Sequence, residues 1–134
     1  MYELAQHIAD VRLLVSASSL EELFRDAVRG MYAVMRGAPA AEARRVERVI
    51  RVEDSADRTA LLVDFLNEVL QRAHVARELF DDLTFTHFED VTLEATLTGV
   101  APAEFDEDVK AVTYHEADVR ERENVWHTTL VFDI

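Results

Sequence analysis

The 134-residue chain contains no cysteine. Disulfides, thiolate nucleophiles, zinc fingers and cysteine-ligated clusters are therefore excluded. Three glycines and two prolines are too few for long flexible linkers. No stretch approaches the roughly 20 apolar residues of a membrane span. Met1-Tyr2-Glu3-Leu4-Ala5 has no cationic run leading into an apolar one, so a cytoplasmic protein without membrane contact is the expectation. A glycine-rich phosphate loop, a GxSxG elbow and an HExxH pair are all missing, and each would carry a recognisable chemistry. Serines are confined to Ser16, Ser18, Ser19 and Ser55. A hydrolytic triad would have no local signature, and the chain does not read as an enzyme.

Positive charge is also scarce: 14 Lys plus Arg stand against 27 Asp plus Glu, a formal net charge of −13. Phosphate backbones repel such a domain unless a local basic patch intervenes. The best patch, Arg44, Arg45, Arg48 and Arg51, falls in an apparent loop and strand and reads as a solvated face, so direct nucleic-acid binding is not expected. A basic protein partner or a cation suits the charge better. Lys110 is the only lysine among the 14 basic residues. Lysine is a compact point charge able to contact phosphate or a nucleotide.

What is present is a folded composition, 49% hydrophobic and 31% charged, in a chain long enough to bury a core. Val11, Leu13 and Val15 alternate as in a strand over 11–15. Ser19 and Glu22 have capping-box spacing, and Leu20, Leu23, Phe24, Ala27, Val28, Met31, Tyr32 and Met35 form a helical stripe that Gly37 is placed to end. Residues 38–45 read as a loop and 46–53 as a strand. Ser55 or Asp57 caps a second helix with an apolar stripe from Leu61 to Ala73, leaving Asp64, Glu68 and Arg72 in solvent. Strands are expected at 84–88, 91–98, 109–115 and 126–134, with a loop around Gly99 and Pro102. The chain therefore reads as a single α+β domain over 1–134, two amphipathic helices packed on a largely antiparallel sheet.

The histidines, His7, His74, His87, His115 and His127, show no metal-ligand spacing among themselves. The carboxylates say more. Asp10 precedes the first strand and Asp133 closes the last, followed by Ile134. If those strands are antiparallel neighbours, two side-chain carboxylates and the terminal one crowd together. Like charges so close call for a shared proton or cation, and a hard cation with oxygen ligands is the natural solution. The alternative is that Asp10 caps a turn and Asp133 points into water.

Four segments also resemble one family. His7-Ile8-Ala9-Asp10-Val11 is similar to the His-Thr-Ala-Asp-aliphatic signature of the archeases, and Leu61 to Leu70 to their Leu-Val-Asp-Trp-Leu-Asn-Glu-Leu-Leu helix. Lys110-Ala111-Val112-Thr113-Tyr114-His115 matches their Lys-Ala-Val-Thr-Tyr-His strand, and Trp126 to Ile134 their terminal strand ending in Asp-Ile or Asp-Leu. The resemblance implies a non-enzymatic partner of the GTP-dependent RNA-splicing ligase that acts in tRNA splicing and RNA repair, promoting its guanylylation and multiple turnover. It further implies a divalent cation, calcium or else Mn²⁺ or Mg²⁺, held by Asp10, Asp133 and Ile134. His7, Lys110 and His115 are the candidates for contact with ligase or nucleotide. Ile8 in place of Thr removes a hydroxyl. Arg12, where Gly is common, adds a cation placed to pair with the carboxylates and weaken metal binding. The competing readings are an acidic interaction or chaperone-like module without a metal, and a small metal-dependent phosphoesterase using His7 or His115 as base.

Overall fold

The computed structural model describes residues 10–134; His7 and Ile8 lie outside them. The elements run β1 (Asp10–Ala17), α1 (Leu20–Met35), β2 (Gly37–Val52), α2 (Arg58–Ala76), β3 (Leu79–Phe88), β4 (Leu93–Phe105), β5 (Ala111–Thr113), β6 (Arg120–Arg122) and β7 (Val125–Asp133). The α+β class and the two amphipathic helices are as expected. The strands, however, divide between two sheets, one ordered β1-β7-β5 with β6 also on β7, the other β2-β4-β3. All the pairings are antiparallel.

Helix α1 starts where its cap predicts. Ser19 Oγ accepts from the Glu22 amide at 3.2 Å, satisfying one orphan N–H. The reciprocal half of the box is replaced: the Glu22 carboxylate accepts from Arg25 at 2.6 Å. The helix ends one residue before Gly37, at Arg36 in the left-handed conformation (φ 53°), whose N–H donates to Ala33 O. Gly37 is instead the first residue of β2. The buried stripe of α1 packs directly on β1, where a Cβ at Gly30 would sit 2.5 Å from Leu13 Cδ2.

Helix α2 is capped by Asp57, which accepts from the Ala60 amide at 2.8 Å. Its buried face, Leu61 to Ala73, meets α1 in an aromatic cluster. Phe24 stacks on Phe65 at 6.2 Å and receives the edge of Phe88 at 4.9 Å. Phe24 and Phe65 are both fully buried, and such pairs add to the hydrophobic gain of burial.

The second sheet departs most from the sequence reading. Residues 38–45 belong to β2 and not to a loop. The segment is rich in alanine, a poor strand former. It is held extended because β4 runs on through Gly99 and Pro102 to Phe105 and pairs with it, with an irregularity between Pro39 and Arg44. The loop expected around Gly99 and Pro102 is therefore strand as well. Gly99 is required there: a Cβ would fall 2.0 Å from Leu79 O on β3. In the other sheet, the strand expected over 109–115 contracts to Ala111–Thr113, and β6 is an addition. No described helix is long and apolar enough to cross a membrane.

Candidate functional site

Strand alternation puts Val11, Leu13 and Val15 of β1 toward the helices, so Asp10, Arg12 and Leu14 share the outer face. Strand β7 lies antiparallel beside β1, and Asp10 faces Asp133 across the ladder, with Arg12 opposite Val131. Directly opposed residues have Cβ atoms about 5 Å apart, and like charges so placed repel. On the far side of β7, Ala111 opens β5 opposite Asp133, and the Lys110 amide donates to Asp133 O at 2.7 Å. Two carboxylates, the backbone of Lys110 and the partly exposed Ile134 thus gather at one end of the sheet. Asp133 and the Lys110 side chain are exposed, Asp10 partly so.

A third charge stands beside them. The Arg12 guanidinium donates from Nε to Glu116 Oε2 at 2.5 Å. It is held even more firmly protonated than usual, first by that hydrogen bond, then by the attraction of Glu116 and of Asp10. Arg12 is therefore paired with Glu116, and not with Asp10 or Asp133 as its position in the sequence suggests.

The donor set suits a hard cation: oxygen atoms only, on opposed carboxylates. Among the described residues no three His, Asp or Glu side chains converge. Among the described residues the strand ends offer two side-chain carboxylates, with Ile134 beside them, and the remaining oxygens would come from backbone and water. Next to this end lies an open cleft of about 400 Å³ lined by Val11, Ala33, Val34, Arg36, Glu107 and Ile134.

The other sequence candidates are placed differently. His115 lies past the end of β5; its amide donates to Thr113 Oγ1 at 3.2 Å, and Thr113 is already two ladder positions from Asp133. His7 falls outside the described residues. Of the four arginines on β2, Arg45 pairs with Asp81 at 2.8 Å, Arg48 with Glu78 at 2.7 Å and Arg51 with Glu94. The basic patch is largely neutralised from within, although all of it lies on a strand.

Sequence reasoning missed a second carboxylate centre. Asp64 was expected in solvent. Instead it accepts from Ser55 Oγ at 2.7 Å and from the Tyr114 hydroxyl. The hydrogen bond to Asp64, helped by desolvation, pushes the Tyr114 phenol above its ordinary pKa. Asn67 completes the tie, donating to Val112 O and accepting from its amide, both at 2.9 Å. Through these contacts α2 positions β5 and the turn that carries Glu116. The clue in the sequence was the pairing of Asp64 and Asn67 one turn apart on the helix.

The profile of the Archease protein family (MTH1598/TM1083) matches residues 2–134. Protein archease of Methanosarcina acetivorans is 27% identical over 99% of this chain and 95% of its own length. Protein archease of Aeropyrum pernix is 30% identical over 96% and 94%. Among solved structures, an archease of Thermotoga maritima described as a possible chaperone superposes with a TM-score of 0.71 at 22% identity, covering 100% of this chain and 98% of that one. Protein 1598 of Methanobacterium thermoautotrophicum gives a TM-score of 0.64 at 30% identity, covering 97% and 96%.

Proposed function

The chain belongs to the archease family, and we propose on that basis that it acts as a non-catalytic protein partner of a GTP-dependent RNA ligase, promoting guanylylation and repeated turnover of that enzyme. The observation that supports this reading most is the opposition of Asp10 and Asp133 across β1 and β7. Among the described residues no ion pair neutralises Asp10 or Asp133, and the fold keeps the two acids together at the end of the sheet. That arrangement costs stability and is accounted for by a task outside the fold itself.

In this reading Asp10 and Asp133, with Ile134 beside them, hold a divalent cation, calcium, Mn²⁺ or Mg²⁺. When bound, the cation supplies positive charge that can offset negative charge on a phosphate. The chain's own residues do the rest. Lys110 fixes the backbone of Asp133 through its amide, and its side chain is exposed. The net charge of −13 draws the protein to a basic surface shaped for RNA and speeds their encounter. His7 and His115 are proposed as ligase or nucleotide contacts, His115 from the turn that follows β5. That no three acidic or histidine side chains converge among the described residues favours weak binding and supports a second reading, an interaction or chaperone-like module that works without metal.

The test is multiple-turnover RNA ligation by the cognate ligase with GTP and Mn²⁺. Stimulation by the wild type that is lost in Asp10→Ala and in Asp133→Ala supports the reading. Equal stimulation by all three favours the metal-free module, and no stimulation by any of them removes the proposed role.

A further inference from the structure

One cation on the same strand as Asp10 is built into the chain. Arg12 is two residues from Asp10 on the same face of β1, a spacing of about 7 Å between Cα atoms. Its flexible side chain reaches the pair or turns away from it. In the structure it is turned toward Glu116, 104 residues on in sequence, with Nε 2.5 Å from Oε2. No other ion pair of Arg12 is present among the described residues. Glu116 itself sits in the turn after β5, which Tyr114 anchors to Asp64 on α2. The direction of Arg12 is thus set by a segment that shares no strand pairing with β1.

We propose that Glu116 holds Arg12 off the Asp10–Asp133 pair, so that Arg12 and Glu116 together set how tightly those carboxylates take a divalent cation. This rests on the cation-binding reading above and adds the residues that tune it. A guanidinium swung onto Asp10 competes with an incoming ion for the same oxygens. Held by Glu116, it leaves the oxygens open and opposes the ion only through space. Glu116 acts through Arg12 and is a positioning residue; it is not a ligand. Both side chains are about half exposed, so the effect weakens as salt is added.

The experiment is calorimetric titration of metal-stripped protein with Ca²⁺ alone, at low and at high ionic strength. It compares wild type, Arg12→Gln, Glu116→Gln and the double variant, with circular dichroism as the check on folding. Arg12→Gln is expected to bind about fivefold more tightly, the effect of removing one unit charge at this range from a doubly charged ion in water-like surroundings. Glu116→Gln is expected to bind more weakly than wild type. The double variant is expected to match Arg12→Gln alone, because without Arg12 there is nothing for Glu116 to hold. An equal loss from Glu116→Gln in both backgrounds would mean that Glu116 acts by its own charge, and would overturn the proposal. So would unchanged affinity in Arg12→Gln. Absence of Ca²⁺ binding in every form would overturn the cation reading itself, and the proposal with it.

Discussion

The two sheets handle charge in opposite ways. Around the β2-β4-β3 sheet arginines are matched with acids: Arg51 directly opposite Glu94, Arg45 with Asp81 of β3, and Arg48 with the fully buried Glu78 between α2 and β3. In the β1-β7-β5 sheet, two acids are opposed, and the cation closest to them in sequence is bound to a different acid. The first pattern is what strand pairing rewards, and the second is what it penalises. The difference separates a sheet whose charges are matched within the fold from one whose outer end sets two acids opposite each other.

The largest effect is expected where β3 and β4 approach most closely, at Gly99. Gly99→Ala places a Cβ 2.0 Å from Leu79 O and 2.6 Å from Phe80 Cα. Backbone atoms cannot turn aside, so β3 and β4 must separate. A loss of about 4 kcal/mol or more, among the larger effects of single substitutions, should appear in urea denaturation or as failure to fold.

Next is the buried pair. Glu78 is fully buried, and its carboxylate has no hydrogen-bond partner to supplement Arg48 among the described residues. Arg48→Ala strands that charge and is expected to cost about 3 kcal/mol in the same denaturation measurement. Arg48→Met with Glu78→Leu should cost far less, because an apolar pair replaces the ionic one without leaving an orphan. An Arg48→Ala variant as stable as wild type would show that the first sheet does not depend on its matched charges.

A smaller effect sharpens the boundary between the two regions. Tyr114, on the turn beyond β5, is tied to Asp64, and this raises its phenol pKa. A group whose pKa is raised on folding contributes stability below its unfolded pKa, about 10 for tyrosine. That contribution is lost as pH rises through the folded value. Ultraviolet titration of phenolate should show one accessible tyrosine ionising late, and Asp64→Asn should return it toward the ordinary range.

How far all this was legible depended on how local each cause is. Both helices followed from stripes and caps a few residues apart, and Ser19 and Asp57 behave as their sequence positions suggest. The opposition of Asp10 and Asp133 followed once the first and last strands were taken as neighbours, because both show a clear inward face. Residues 38–45 could not be read, since Ala and Pro carry no strand signal and only pairing with β4 extends them. Asp64 lies opposite the helical stripe, but Ser55 and Tyr114 reach it from 9 and 50 residues away. Periodicity contains no trace of such contacts, and the same holds for Arg12 and Glu116.

In the proposed function the acids at the end of β1 and β7 are kept at the expense of stability for a role outside the fold. One double variant, Asp10→Asn with Asp133→Asn, tests it when melting temperature and ligase stimulation are read on the same preparation. Removing opposed like charges should stabilise by about 0.5 kcal/mol, roughly 2 °C at this chain length, in low salt without divalent ions. Stimulation of the cognate ligase should be lost at the same time. A variant that melts lower than wild type, or that stimulates as well as wild type, would contradict the account.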